Sequence, residues 1–178
     1  VLASVTRFLE RRLNLKVNRR KSAVAFVQER KFLGYRLLVG GKLGIAPQSV
    51  GRIKEKVRAI TKRNRGRSLE QIVLELNPLI RGWVNYYRYA QARKTMQQLD
   101  EWLRRKLRCY RLKQCKRAVG MARFLMERGI KPDQAWALGG SGKGWWRMSL
   151  SPQAHRAMGK MWFMEIKHVG FAEQYMKL

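Results

Sequence analysis

The chain has 178 residues, 46% of them apolar, and its 40 Lys and Arg face only 11 Asp and Glu, a formal net charge of +29. That length allows one domain or two small ones with a true core, and so large a cationic excess repels itself and calls for a polyanion, nucleic acid first, because neutralised phosphates release condensed counterions. No apolar run is long enough to span a bilayer, and VLASVTRFLERRLNL, charged too early and without a small-residue cleavage site, does not read as a secretory signal.

The chain opens on Val1 in what reads as the middle of a helix, so it is taken as a piece of a longer polypeptide. Leu2, Val5, Leu9 and Leu13 recur at helical spacing. Past Asn14 the pattern changes. AVAFVQ (23–28) and KFLGYRLLV (31–39) are strand-like, and LLVGGKLGI (37–45) reads as a two-residue hairpin with Gly40 and Gly41 at positive φ. From Pro47 a helix carries Val50, Ile53, Val57 and Ile60 on one stripe and Arg52, Lys54, Lys56, Arg58, Lys62 and Arg63 over much of the rest. NRGRS is a loop, and Ser68 with Gln71 forms a capping box for the next helix, buried through Leu69, Ile72, Val73 and Leu76. Asn77-Pro78 reads as a second cap at which the helix restarts or kinks before running to about Tyr89. A third basic helix spans about 94–116, with Met96, Leu99, Leu103, Leu107 and Tyr110 inward and Arg104, Arg105, Arg108, Arg111 and Lys113 opposite. Residues 117–128 are helical up to Gly129, LGGSGKGWWRMS is a mobile glycine-rich stretch, and Ser151-Pro152 starts a last helix to about His168.

Catalytic chemistry finds little footing. Asp100 and Glu101 are adjacent on a helix and diverge, Asp133 is isolated, and GGSGKG (139–144) lacks P-loop spacing. No catalytic residue and no metal ligand is assigned. Cys109 and Cys115 lie on different helix faces and read as free thiols in a reducing compartment, and His155 and His168 as ordinary helix residues. Binding is better supported. The helices from 48 to 116 pair an apolar face with a nearly pure cationic one, the electrostatic footprint of a nucleic-acid binder. The candidate contacts are Arg52, Lys56, Lys62, Arg63, Arg65 and Arg67, then Arg81, Asn85 and Arg88, then Arg104, Arg105, Arg108 and Arg111, and Lys143 and Arg147 in the tail. In NPLIRGWVNYYRY (77–89), Trp83, Tyr86 and Tyr87 share one helix face and read as core, while Arg81 and Arg88, seven apart, align on another.

At this point the sequence resembles a family. LNPLIRGWVNYYRY, following GRSLEQIVLE, resembles the maturase-specific motif of reverse transcriptases encoded by group II introns. FLERRLNLKVNRRKS resembles the sixth conserved block of those enzymes, KFLGYRL the seventh, and WWRMSLSPQAHRAM the C-terminal segment of bacterial members. The resemblance implies a mainly α fold: a basic three-helix thumb bundle, a small antiparallel β element before it and further helices after it. Residues 1–46 would end the palm, 47–117 would be the thumb or maturase domain, and 118–178 a DNA-binding region. Lys21, Phe32, Leu33, Gly34 and Tyr35 would lie near primer and template. The implied partners are group II intron RNA, a template-primer duplex and target DNA, in the cytoplasm and with no membrane. The family's Tyr-Ala-Asp-Asp aspartates are not among these residues, so Mg2+ is expected for the full-length polymerase and no cofactor for this part. Rival readings are a polymerase-inactive splicing factor, the thumb of a stand-alone or CRISPR-associated reverse transcriptase, and a basic membrane-surface protein.

Overall fold

The computed structural model describes residues 1–26 and 30–178. It is 62% helical, with ten helices and one three-stranded antiparallel sheet among the described residues. The predicted class, mainly α with a small β element, is the observed one.

Helix α1 (Leu2–Arg12) has no buried residue. Residues 23–26 form no strand, and the rest of the strand expected over 23–28 lies outside the described residues. The single strand expected over 31–39 is instead a hairpin, β1 (Lys31–Phe32) against β2 (Tyr35–Leu37), with Phe32 opposite Tyr35. Leu33 and Gly34, at φ of 50 and 81, form its two-residue turn, because positive φ at both positions matches the strand twist. The second turn differs from expectation as well. Leu37 pairs with Leu43 and Leu38 N–H donates to Lys42 O, leaving the three residues Val39–Gly41 as the loop, with Gly40 and Gly41 both at positive φ. Strand β3 (Leu43–Ile45) then leads into the bundle.

Helix α2 (Pro47–Ile60) starts with Pro at its first turn and buries Ile53 and Val57 as its stripe requires. Helix α3 (Leu69–Tyr86) carries both halves of the capping box, Gln71 N–H to Ser68 Oγ at 3.2 Å and Ser68 N–H to Gln71 Oε1 at 3.0 Å. It runs through Pro78 without restarting. Leu74, whose carbonyl Pro78 cannot serve, sits on the exposed face. Asn77 is not a cap. Its Nδ2 donates to Lys167 O at 2.8 Å and its Oδ1 accepts from Val169 N–H at 3.0 Å, tying α3 to the C-terminal segment. Helix α4 (Arg93–Gln114) buries Met96, Leu99, Leu103, Leu107 and Tyr110.

Helix α5 (Ala118–Glu127) ends in a Schellman cap. Ile130 N–H bonds Leu125 O, Gly129 N–H bonds Met126 O, and Gly129 has φ of 77. The tail is more structured than its glycines suggest. Helix α6 (Pro132–Gly139) packs so close to α5 that a Cβ on Gly139 would stand 2.8 Å from Ala118 O. Here glycine permits close approach rather than motion. Helix α7 (Trp145–Met148) follows. The final helix expected to reach His168 is three short ones, α8 (Pro152–Ala157), α9 (Lys160–Glu165) and α10 (Phe171–Met176), broken at Met158–Gly159 and at Lys167 with φ of 54. One hydrophobic cluster runs from Ile45 through α2–α9 to Phe171.

Candidate nucleic-acid interface

The aromatic stretch of α3 is a junction. Tyr87 is buried, Trp83 half-buried and Tyr86 51% exposed, so the expectation that all three are core holds for Tyr87 and is corrected for Tyr86. On one side Tyr35 from β2 packs on Tyr87, ring centroids 5.0 Å apart, and Tyr86 Oη donates to Leu33 O at 2.8 Å. On the other side Trp83 meets the edge of Phe171 from α10 at 5.7 Å. Gly34 lies under this cluster. A Cβ there would collide with Tyr87 Oη and stand 2.9 Å from Ser49 Oγ. Phe32 and Leu33 remain exposed, as does Lys21 in the turn after α1.

Helix α3 ends at Tyr86, so Arg88 falls in the turn beyond it and the helical alignment of Arg81 with Arg88 does not hold. Arg88 Nη2 donates to Tyr89 Oη at 2.6 Å and its guanidinium lies over that ring at 4.6 Å. Arg81 and Asn85 are exposed.

The cations sort into free and engaged groups. Arg52, Lys56 and Lys62 are exposed, and no ion pair involves them among the described residues. Arg65 and Arg67 both reach Glu75, at 3.0 and 3.3 Å, and Arg65 also donates to Ile60 O, so they staple the α2–α3 loop. The same loop is held from α4 by Tyr110 Oη on Arg67 O at 2.7 Å and Lys113 Nζ on Arg63 O at 3.2 Å. Arg63, Arg67, Lys113 and Lys116 thereby line one cleft of about 520 Å3.

The far side of α4 is not the open cationic face expected, because the tail covers it. Arg108 is buried; its Nε donates to Met158 O at 3.1 Å and its guanidinium lies over Phe163 at 5.4 Å. Burial, and then the neighbouring Arg104, push Arg108 below the usual guanidinium range. Arg104 also covers Phe163, and Arg111 lies over Phe124 at 4.2 Å. Arg105 stacks on Trp146 at 3.8 Å and donates to its carbonyl, docking α7. These arginines join helices, and Arg108 leaves the candidate surface on accessibility alone. Lys143 and Arg147 are exposed on a separate cleft beside α6 and α8.

The acids serve structure as well. Asp100 is buried on α4, and its carboxylate accepts from Phe171 N–H at 2.6 Å and Ala172 N–H at 2.9 Å, capping α10. Burial raises its pKa above the ordinary aspartate value. No group of three or more His, Cys, Asp or Glu that could hold a metal occurs among the described residues. Cys109 and Cys115 are free thiols, raised by burial. His168 lies buried between α9 and α10 rather than on a helix, with neither ring nitrogen hydrogen-bonded.

Sequence reasoning passed over one cluster. Lys54 and Arg58 of α2 and Lys106 of α4 each lie 5.5–5.6 Å from the Trp102 ring centre. The available signal was Trp102 with Lys106 at i and i+4, off the Leu99–Leu103 stripe.

The fold and surface define a class, a helical module with a continuous core and outward cations in large excess over acids. Residues 50–129, from α2 through α5, match the family described as group II intron, maturase-specific domain, and that match supports a group II intron maturase-related role. No curated protein matches the chain. No helix is long and apolar enough to cross a membrane among the described residues.

Proposed function

We propose that this chain is the intron-RNA-gripping part of a group II intron reverse transcriptase/maturase. The carrying observation is a coincidence of position. The matched residues 50–129 present Arg52 and Lys56 on α2, Lys62 and Arg63 in the loop after it and Arg81 on α3, all exposed and without an acidic partner among the described residues. Such cations track a phosphate backbone, and folded RNA is recognised largely by shape and backbone. The same surface would hold a template-primer duplex during reverse transcription, with the Leu33–Gly34 turn toward the primer end, and Lys143 and Arg147 would meet target DNA. The Mg2+-dependent polymerase step belongs to the longer protein. The donor set here does not fit it: the buried carboxylate of Asp100 is consumed by two backbone N–H groups.

The test is titration of the chain with a folded group II intron RNA across salt, against an unstructured RNA of equal length. Preference for the folded RNA with a steep salt slope is expected, and Arg81→Ala should reduce that slope by about one. Equal affinity for both RNAs would reduce the surface to a generic polyanion grip.

A further inference from the structure

Between α2, α4 and α7 lies a cleft of about 320 Å3 lined by Arg58, Thr61, Arg63, Trp102, Lys106, Cys109 and Trp146. Two indoles share its walls. Trp102 is half-buried and Trp146 is 39% exposed, with Arg105 stacked on the Trp146 ring. Lys106 sits between them, its Nζ 5.5 Å from the Trp102 centre and 5.8 Å from that of Trp146.

The charges in this cleft are out of balance. Lys54, Arg58, Arg63 and Lys106 converge on it, and none takes part in an ion pair among the described residues. The partner Arg63 finds is a thiol, Cys109 Sγ at 3.5 Å. Burial, and then Arg58 and Arg63, hold the Lys106 ammonium below its ordinary pKa. Cations gathered without a counter-charge around aromatic faces leave room for a ligand that supplies both an anion and a flat π-surface. A nucleotide is such a ligand, and base stacking on aromatics with cations along the backbone is how single strands are held.

We propose that this cleft takes one unpaired nucleotide of a bound strand, its base against Trp102 and Trp146 and its phosphate on Arg58, Arg63 and Lys106. This rests on the reading that the chain binds RNA, and it adds a preference: the slot reads single-stranded loops or ends. A volume at the small end of ligand clefts suits one splayed-out nucleotide, whereas bases inside a duplex stay stacked on one another.

The test compares an oligouridylate of about twelve nucleotides with an RNA duplex of the same length, using the whole chain, where twelve lies within known single-strand site sizes. Trp102→Leu, which keeps apolar bulk and loses the π-face, should weaken oligouridylate binding roughly tenfold and leave duplex binding unchanged. Trp102→Phe should restore most of the loss, a rescue that a purely packing role would not give. Because Trp102 also packs against the core, its unfolding midpoint is read alongside. If Trp102→Leu does not fold, Lys106→Gln decides, and it should lower the single-strand salt slope by about one. Wild-type oligouridylate affinity in Trp102→Leu, or in Lys106→Gln, with duplex and intron RNA still bound, overturns the slot alone. Failure of the wild-type chain to bind any of these RNAs overturns the proposed function and the slot with it.

Discussion

Acid should weaken the fold through His168. Its ring is buried, neither nitrogen has a hydrogen-bond partner, and it packs 5.7 Å from Phe163. Burial, and then the Arg104 guanidinium, push its pKa down to about 4, while Glu173 pulls the other way. A histidine with a depressed folded pKa contributes stability that is present above its unfolded value near 6.5 and lost as pH falls through the folded value. The window is therefore pH 6.5 to 4, and a gap of about 2.5 pH units corresponds to roughly 3 kcal/mol lost by pH 4. That is a large share of a typical domain's 5–15 kcal/mol or so. Asp100, near the same Arg104 and Glu173, has a raised pKa and so the opposite sign: its protonation favours the fold as pH falls. The comparison that isolates His168 is wild type against His168→Phe, by urea midpoint at steps from pH 7 to 4. The variant should match or exceed wild type at pH 7, since two unsatisfied buried nitrogens are removed, and should lose about 3 kcal/mol less than wild type on acidification. Parallel stability curves for the two proteins would refute the reasoning.

Gly34→Ala should destabilise the chain by about 2–4 kcal/mol, because a Cβ must occupy both a positive-φ backbone and the space of Tyr87 Oη and Ser49 Oγ. Thermal unfolding measures it, and a change under half a kilocalorie or so would mean the hairpin does not dock on α3. Asp100→Ala should cost roughly 2–4 kcal/mol by leaving the Phe171 and Ala172 N–H groups without their charged acceptor. Hydrogen exchange should speed up at those two amides first, and unchanged protection there would remove the cap.

Much of this protein is written in local sequence, and what was legible had short-range causes. The Val50–Ile60 and Met96–Tyr110 stripes, the Ser68–Gln71 box and the Gly129 cap each involve residues within a few positions of one another, and each stands in the structure as its spacing predicts. The maturase motif over 77–89 was legible as a motif, and the family match includes it. The roles of its residues were not. Asn77 has the composition of a cap, yet it holds Lys167 O and Val169 N–H, ninety residues on. Arg104, Arg105, Arg108 and Arg111 follow a helical period as an outer face should, but the tail folds back over that face and turns them into clamps on Phe163, Trp146 and Phe124. The Trp102 cleft draws its cations from α2, the loop after it and α4, its first indole from α4 and its second from α7, so no window of sequence contains it. Sequence alone determined the helical class, the charge excess and the likeness of residues 50–129 to the maturase-specific domain. Tertiary structure decided which cations remain free, because a side chain's accessibility depends on what packs over it from far along the chain.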